Sequence, residues 1–433
     1  MVFAPDGTAI TFGRRFSNAP DSEERPTRGS LDVFDGSGKS SYTRVIGRDC
    51  SWARLATTGP RSTTLRGAGQ VVFAGTCQAP VDLGGGPIAE IVFDPFAHLV
   101  VGLLDFDHGG APIWTRAFGS AGGSQFIEGL VVDDTGDLVL AGGYWESMSF
   151  GGQGDALPPS SKRGTRGFLA KLDTKTGKTI WSRATAVGDE RSTLSSVVVT
   201  TRNELLVAGE YRGELAFPSG TLRSADRMAT YVARHATDGT PIWGIALPET
   251  SDRKPALNVR LATRPTTIPS STNSSSGAPG VVLVGQSSDE ALVMELDATT
   301  GKTLWERRIR GKSMLNGHIA LDPGGNVYLA LYSMGTIDAG TGPLQGRTDG
   351  LSTPYLVKLD ARGSLVGWQA FTTTYSEAIN ALAWNPKTQQ VMLSRQWKNG
   401  PKDQPRGEWR VQDTWVETTI EPPLLAVAGA AKP

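Results

Sequence analysis

The 433-residue chain carries 43 Lys plus Arg against 43 Asp plus Glu, so no net field draws it to nucleic acid or an anionic membrane. Its 53 glycines and 26 prolines fall among short β-branched and aromatic runs, which points to many strands and turns. Sustained helical periodicity is absent, and no apolar run approaches the roughly 20 residues of a membrane span, so almost no helix and no span are expected.

In chain order, MVFAPDGT already reads as a strand entering a turn, without the basic region, apolar core or cleavage site of a signal peptide. The chain is therefore either a mature or truncated form, or cytoplasmic. From there one tight-turn hairpin recurs: VFAPDGTAITFG (from Val2), TLRGAGQVVFAG (from Thr64) and LVVDDTGDLVLAGG (from Leu130). It returns as VVVTTRNELLVAGE (from Val197), IALDPGGNVYLALY (from Ile319) and LAWNPKTQQVMLSR (from Leu382). A further copy near Val259 is split by the low-complexity insertion Pro265–Gly280 and resumes as VVLVGQ. That insertion reads as a flexible spacer, and its Asn273-Ser274-Ser275 sequon as a chance match in serine-rich sequence.

A second hairpin alternates with the first. Its best-preserved copy is Val293–Gly311, VMELDATTGKTLWERRIRG, in which Thr300-Gly301-Lys302 reverses the chain and Trp305 enters the returning strand. Relatives start at Leu99, Phe168, Tyr231 and Tyr355; a degenerate copy from Ser30 has Tyr42 in place of Trp, and one from Glu408 places Trp415 after a shortened turn. Two hairpins make four antiparallel strands, lettered A to D from the axis outwards. Seven such units fill the chain at a period of about 45–75 residues, and each must stack on its neighbours to bury its faces. The expected fold is all-β, a seven-bladed β-propeller of four-stranded antiparallel blades. The blades fall at approximately 1–48, 49–119, 120–188, 189–248, 249–311, 312–374 and 375–421. A β-solenoid fits less well, because its coils keep a tighter period. Residues 422–433 read as a loose C-terminal tail, with an extra closing strand through Leu424–Val427 as the alternative.

The sequences LDATTGKTLW and LDTKTGKTIW resemble the tryptophan-docking repeat of pyrroloquinoline-quinone-type propellers, a group that includes quinoprotein dehydrogenases and a propeller lipoprotein of the outer-membrane β-barrel assembly machinery. The segments Met148–Asp173 and Ile337–Asp360 are similar to bacterial extracytoplasmic propeller repeats. This likeness covers nearly the whole chain and implies a fold rather than an activity. It implies docking roles for Trp114, Trp181, Trp243, Trp305, Trp368 and Trp415, whose rings would pack between neighbouring blades. The turn aspartates Asp173, Asp297 and Asp360 are expected to accept hydrogen bonds from the turn amides.

Short A–B and C–D turns share one face, whereas long B–C and D–A connections share the other, where function is expected. Tyr144, Trp145, Tyr211, Arg212 and Tyr332 are the candidate contact residues there, since Trp, Tyr and Arg dominate contact energies. Of the four histidines, His98, His108 and His235 belong to outer strands or their turns, and His318 alone can enter the axial channel. A quinoprotein-like enzyme would call for adjacent cysteines and a calcium-binding set of Glu, Asn and Asp. Cys50 and Cys77 are not adjacent, no such set is found, and no Gly-x-Ser-x-Gly elbow, His-Glu-x-x-His helix or phosphate loop occurs. The two cysteines fall at the same end of one blade, so they either form a disulfide, implying an oxidising compartment, or stay as thiols. The resulting expectation is a monomeric, non-enzymatic scaffold that binds a protein or cell-surface component without metal or cofactor. It would sit in a bacterial extracytoplasmic setting. The alternative is a quinoprotein-like enzyme or small-ligand binder that uses the axial channel.

Overall fold

The computed structural model describes residues 1–3, 8–16, 27–34, 40–48, 50–57, 69–77, 81–83, 86, 88, 98–120, 123–151, 156–160, 164–185, 191–249, 257–264, 280–347, 352–371, 376–398, 414–417 and 425–426. Almost all of the insertion from Pro265 and most of the C-terminal tail lie outside them. Among the described residues the chain is all-β, with a single 3-10 turn at Phe106–His108.

The strands group into antiparallel sheets, numbered here in chain order. Sheet 1 comprises Val2–Phe3, Ala9–Phe16, Thr27–Phe34 and Ser40–Arg48; sheet 2 comprises Ser51–Thr57, Gln70–Cys77, His98–Asp105 and Ala111–Phe118. Sheet 3 comprises Ser124–Val132, Leu138–Trp145, Arg166–Leu172 and Thr179–Ala184; sheet 4 comprises Arg191–Val199, Leu205–Phe217, Gly220–His235 and Pro241–Ala246. Sheet 5 is built on Leu257–Thr263, Gly280–Gln286, Glu290–Asp297 and Thr303–Arg310, and sheet 6 on Leu315–Leu321, Val327–Met334, Ser352–Leu359 and Leu365–Ala370. Sheet 7 has Ser376–Asn385, Gln390–Lys398 and Thr414–Glu417.

Burial explains the sequence pattern. The second and third strands of sheet 5, Gly280–Gln286 and Glu290–Asp297, are buried at every position, because neighbouring sheets cover both of their faces. The fourth strand, Thr303–Arg310, keeps mostly half-buried and exposed positions. The first strands of sheets 2 to 7 neighbour one another in succession, and Ala9 of sheet 1 clusters with Met392 of sheet 7.

Indole rings tie consecutive sheets together. Trp114, Trp181 and Trp243 donate through Nε1 to the carbonyls of Thr174, Thr237 and Thr299, each in the third-to-fourth turn of the next sheet, at 2.7, 3.2 and 2.9 Å. Each ring lies over that turn's glycine. A Cβ on Gly177, Gly239 or Gly301 would come within 2.7, 2.8 or 3.2 Å of it, and all three glycines have positive φ. The turns are held by aspartate side chains: Asp173 accepts from the Thr176 amide, Asp297 from those of Thr299 and Thr300, and Asp360 from those of Arg362 and Ser364.

A second tie recurs beneath the tryptophans, at the third-strand position just before the turn. In sheet 3 Lys171 bridges Asp133 at 2.6 Å and Asp137 at 3.0 Å; in sheet 4 Arg234 bridges Glu204 at 2.6 Å and donates to the Thr299 carbonyl. In sheet 5 the polarity is reversed. Glu295 (0% exposed) holds Arg264 (1% exposed) by two bonds of 2.5 and 2.8 Å. Arg264 then donates to the Gly325 and Ala361 carbonyls of sheet 6, and the Trp305 N–H turns inward to Glu295.

Two expectations at the C-terminal end differ from the structure. Trp415 lies in Thr414–Glu417, which pairs directly with the second strand of sheet 7, so it does not occupy a fourth-strand docking position. Residues Leu425–Ala426 are not loose: they pair with Gly367 and Trp368 and extend the outer edge of sheet 6. The ring of Trp368 packs beside Tyr355, with centroids 6.4 Å apart.

Cys50 and Cys77 form a disulfide with Cα atoms 4.0 Å apart across a separation of 27 residues, pinning the entry of the first strand of sheet 2 to the end of the second. Closing a loop of that length removes about 3–4 kcal/mol of unfolded-state entropy. Full reduction, or the paired change Cys50→Ser and Cys77→Ser, is expected to lower stability by about that amount in urea unfolding with and without reductant. Identical curves would mean that the bond carries no stability.

Candidate functional site

The residues that meet at the centre are set there by a repeated irregularity. In sheets 2 to 7 the pairing of the first strand to the second slips once. The slips fall between Ser51 and Arg54, around Glu128, between Leu194 and Ser196, between Leu257 and Arg260, between Leu315 and His318, and between Ile379 and Ala381. A bulge bends its strand and re-aims the side chain beside it.

Side chains from these slips converge, although they are far apart in sequence. Glu128 Oε2 accepts from Arg54 Nη2 and, at 3.4 Å, from both Nη1 and Nη2 of Arg260. The Glu128 carbonyl takes Arg54 Nε at 2.8 Å. Arg260 Nη1 also donates to the Ser195 carbonyl, while Ser195 Oγ donates to the Val259 carbonyl at 3.1 Å. Sheets 2, 3, 4 and 5 therefore meet in one cluster. His318 joins from sheet 6 with a hydrogen bond to the Ile379 backbone of sheet 7. Its pKa is pushed down to about 3, by burial first and then by the Arg260 charge, so it is neutral at neutral pH. Burial also raises the carboxyl of Glu210, which receives the Asn258 amide. The cluster thus sets two guanidinium groups against the Glu128 carboxylate, with a neutral imidazole beside them.

The sequence-chosen contact residues separate into two groups. Tyr144, Tyr211 and Tyr332 are buried and do not offer their rings to a partner. Tyr144 donates its hydroxyl to the Pro158 carbonyl, and Tyr211 packs edge-on to Tyr231 with centroids 5.7 Å apart. Trp145 (37% exposed) and Arg212 do reach solvent, joined by Met334 (42% exposed), which the sequence reading passed over. Trp145 and Met334 end the second strands of sheets 3 and 6, whereas Arg212 lies within the long second strand of sheet 4, opposite Arg191 at the start of the first.

The second-to-third connections explain why the tyrosines are covered. They dive between sheets instead of standing free. Val81 and Leu83, Met148 and Phe150, and Ile337 and Ala339 are buried pairs spaced two residues apart. The Ile337–Asp338 strand pairs with Arg310 of the preceding sheet, and Arg307 donates to the Ala339 carbonyl at 2.6 Å. In sheet 4 the connection is a long hairpin closed at Phe217 and Gly220, whose tip lies against Gly244 of its own outer strand. The alternation in VDLGG, MSFGG and IDAGT was the available sequence signal.

Among the described residues no group of three or more His, Cys, Asp or Glu is disposed to hold a metal ion, and no helix is long and apolar enough to cross a membrane. No protein-family model matches the chain, and no curated protein sequence matches it. Similar solved structures include the Dos1 propeller, at 12% identity, covering 90% of this chain and 88% of that one with a TM-score of 0.48. The periplasmic gluconolactonase PpgL of Pseudomonas aeruginosa is 12% identical, covering 94% and 98%, with a TM-score of 0.45. The hydrazine synthase of Kuenenia stuttgartiensis is 9% identical, covering 85% and 89%, with a TM-score of 0.44. Likeness at these identities carries no activity from one chain to another.

Proposed function

We propose that the chain is a seven-bladed β-propeller acting as a non-enzymatic, extracytoplasmic scaffold that binds a protein or cell-surface component at its loop-bearing face. The succession of first-strand neighbours and the packing of Ala9 with Met392 support the closed ring. The observation that carries the binding reading is the exposure of Trp145 and Met334 at second-strand ends and of Arg212 opposite the start of a first strand, on sheets fastened by buried tryptophans and ion pairs. Rigid aromatic and arginine anchors on an immobile scaffold give contact energy at little ordering cost. The Cys50–Cys77 bond fits an oxidising compartment.

The second reading, an axial small-ligand binder, draws on the convergence of Arg54, Arg260 and Glu128 at the centre. One experiment separates the two. Immobilised full-length protein is used to capture partners from a cell-envelope extract of its source. Wild type is compared with a Trp145→Ala, Arg212→Ala variant and with Arg260→Gln. The face variant is expected to lose the captured partner while Arg260→Gln keeps it. Equal recovery on the face variant defeats the scaffold reading, and loss confined to Arg260→Gln favours the axial one.

A further inference from the structure

Sheet 4 sets cations against one another on the loop-bearing face. Arg191 opens its first strand and pairs directly with Arg212 of the second. The third strand pairs Ser224 with Gly213 and Ala229 with Tyr211, so residues 225–228 bulge opposite Arg212 alone. Arg227 belongs to that bulge, which the Ser224 hydroxyl closes by donating to the Arg227 carbonyl. Arg191, Arg212 and Arg227 are all exposed. Three guanidinium side chains therefore stand on three successive strands, rooted about 5 Å apart from strand to strand.

Like charges placed directly opposite on a sheet are destabilising, so the row calls for a physical account. The neighbouring sheets do not share it: at the same end sheet 3 pairs Ser124 with Trp145, and sheet 5 pairs Leu257 with Gln286. Two acidic side chains of sheet 4 are engaged elsewhere. Glu214 pairs with Arg223 farther along the hairpin. Glu210 feels the Arg191 charge, but burial raises its carboxyl, and it accepts from the Asn258 amide of sheet 5. Asp189, Glu190 and the Asp226 side chain lie outside the described residues.

Arg191 is anchored at one end and open at the other. Its Nε donates to Thr165 Oγ1 of the preceding sheet at 3.1 Å, and the Ser192 amide donates to the Thr165 carbonyl at 2.9 Å. Its Nη1 and Nη2 have no hydrogen-bond partner among the described residues. A guanidinium fixed at Nε presents its terminal nitrogens as a fork, the geometry that takes a carboxylate by two bonds. Trp145 stands across the joint. Tyr144 clusters with Leu99 and Trp114 of sheet 2, so strand alternation turns Trp145 towards sheet 4. The next residue holds it there: Glu146, at a φ of 64°, donates its amide to Ser160 Oγ at 2.7 Å and accepts the Ser160 amide at 2.9 Å.

We propose that, on the scaffold reading above, this row binds a short acidic segment of a partner protein. The segment lies extended across the strands of sheet 4, with carboxylates on alternate residues and an apolar residue over Trp145. Alternate side chains of an extended chain share a face about 6.6 Å apart, a spacing that long arginine side chains rooted about 5 Å apart can follow. A long polyanion such as nucleic acid fits less well. The chain balances 43 basic against 43 acidic residues, so the positive charge is local to the row.

Ligand-observed NMR and calorimetry on the full-length protein test this with the capped peptide Phe-Asp-Ser-Asp-Ser-Asp. Its Asn-for-Asp analogue is the uncharged control, and hexagalacturonate is the polysaccharide arm. The acidic peptide is expected to bind with a Kd of about 1 mM or below at about 20 mM salt, and about tenfold more weakly at about 300 mM. The Asn analogue should not saturate. Arg191→Gln with Arg212→Gln should weaken the acidic peptide about tenfold or more, and Arg191→Lys, which keeps the charge without the fork, about threefold. Arg223→Gln, at a residue already paired with Glu214, should leave binding unchanged. Thermal unfolding supplies a readout that internal pairing would move the other way, since relieving opposed charges should leave Tm unchanged or raise it. Failure of the acidic peptide to saturate by about 10 mM overturns the proposal. So does hexagalacturonate binding equally or more tightly, which makes the row a general anion surface. A double variant with lowered Tm and unchanged peptide binding assigns the arginines to internal pairs. The envelope capture judges the scaffold reading separately. If Trp145→Ala, Arg212→Ala loses the partner while Arg191→Gln, Arg227→Gln keeps it at high salt, the scaffold stands and the acidic segment falls.

Discussion

Glu295→Gln is expected to lower the unfolding free energy by about 3–5 kcal/mol, because it strands the fully buried Arg264 guanidinium without a counter-charge. The change keeps the shape of the side chain and removes the charge, so the loss is electrostatic. Arg264 would still hold the Gly325 and Ala361 carbonyls, but two neutral acceptors do not replace a bidentate carboxylate. The Trp305 N–H would lose the charged acceptor it meets at 2.5 Å. Urea unfolding measures the effect. A companion variant, Arg264→Met with Glu295→Leu, should recover most of the stability, since replacing both members of a buried pair by apolar side chains is often neutral. A loss below about 1 kcal/mol for Glu295→Gln would mean that water reaches the pair.

Trp114→Ala carries the second large effect, about 3–5 kcal/mol, through the loss of a buried aromatic side chain. The cost includes the unpaired Thr174 carbonyl and the uncovered turn of sheet 3. The neighbouring glycine gives an internal control. Gly177→Ala introduces a Cβ 2.7 Å from the Trp114 ring at a residue whose φ is 68°. In wild type the ring contact, a 3.0 Å approach to Arg116 Cγ and the backbone angle all oppose it; in the Trp114→Ala background the ring contact alone is gone. The two changes should therefore combine to less than their sum, by about 0.5–3 kcal/mol in a double-mutant cycle. Strict additivity would show that the indole does not rest on the turn.

The tryptophan ties were legible in the sequence because one large ring recurs at a fixed distance after a glycine turn, as in LDTKTGKTIW and LDATTGKTLW. The central cluster was much less so. Arg54, Glu128, Arg260 and His318 stand one to a sheet and differ in charge, so no local spacing marks them. What they share is a polar residue just ahead of an apolar run, as in ARLAT, VRLAT and GHIAL, and the bulge that groups them appears only with strand register. His318 was singled out by chain position alone. Tyr144, Tyr211 and Tyr332 misled for the opposite reason. Tyr144 and Tyr332 head irregular stretches that read as free loops, yet the next buried apolar pair folds in beside the ring, whereas Tyr211 lies inside a long hairpin and is packed edge-on to Tyr231 of its own sheet. Trp145, one residue beyond Tyr144, points the other way on the strand and stays in solvent.

The reversed polarity at Glu295 bears on whether the sheets are interchangeable parts. Averaging the repeats into one consensus would write a cation at this position, after Lys171, Arg234 and Lys358. That cation would face Arg264, and two buried positive charges would replace a pair. Either residue changed alone passes through the same defect, so the two sites can be exchanged only together. Shuffling, duplication or consensus engineering that moves sheet 5 must carry Arg264 with Glu295. A graft ending between the first and third strands of this sheet is the one expected to fail.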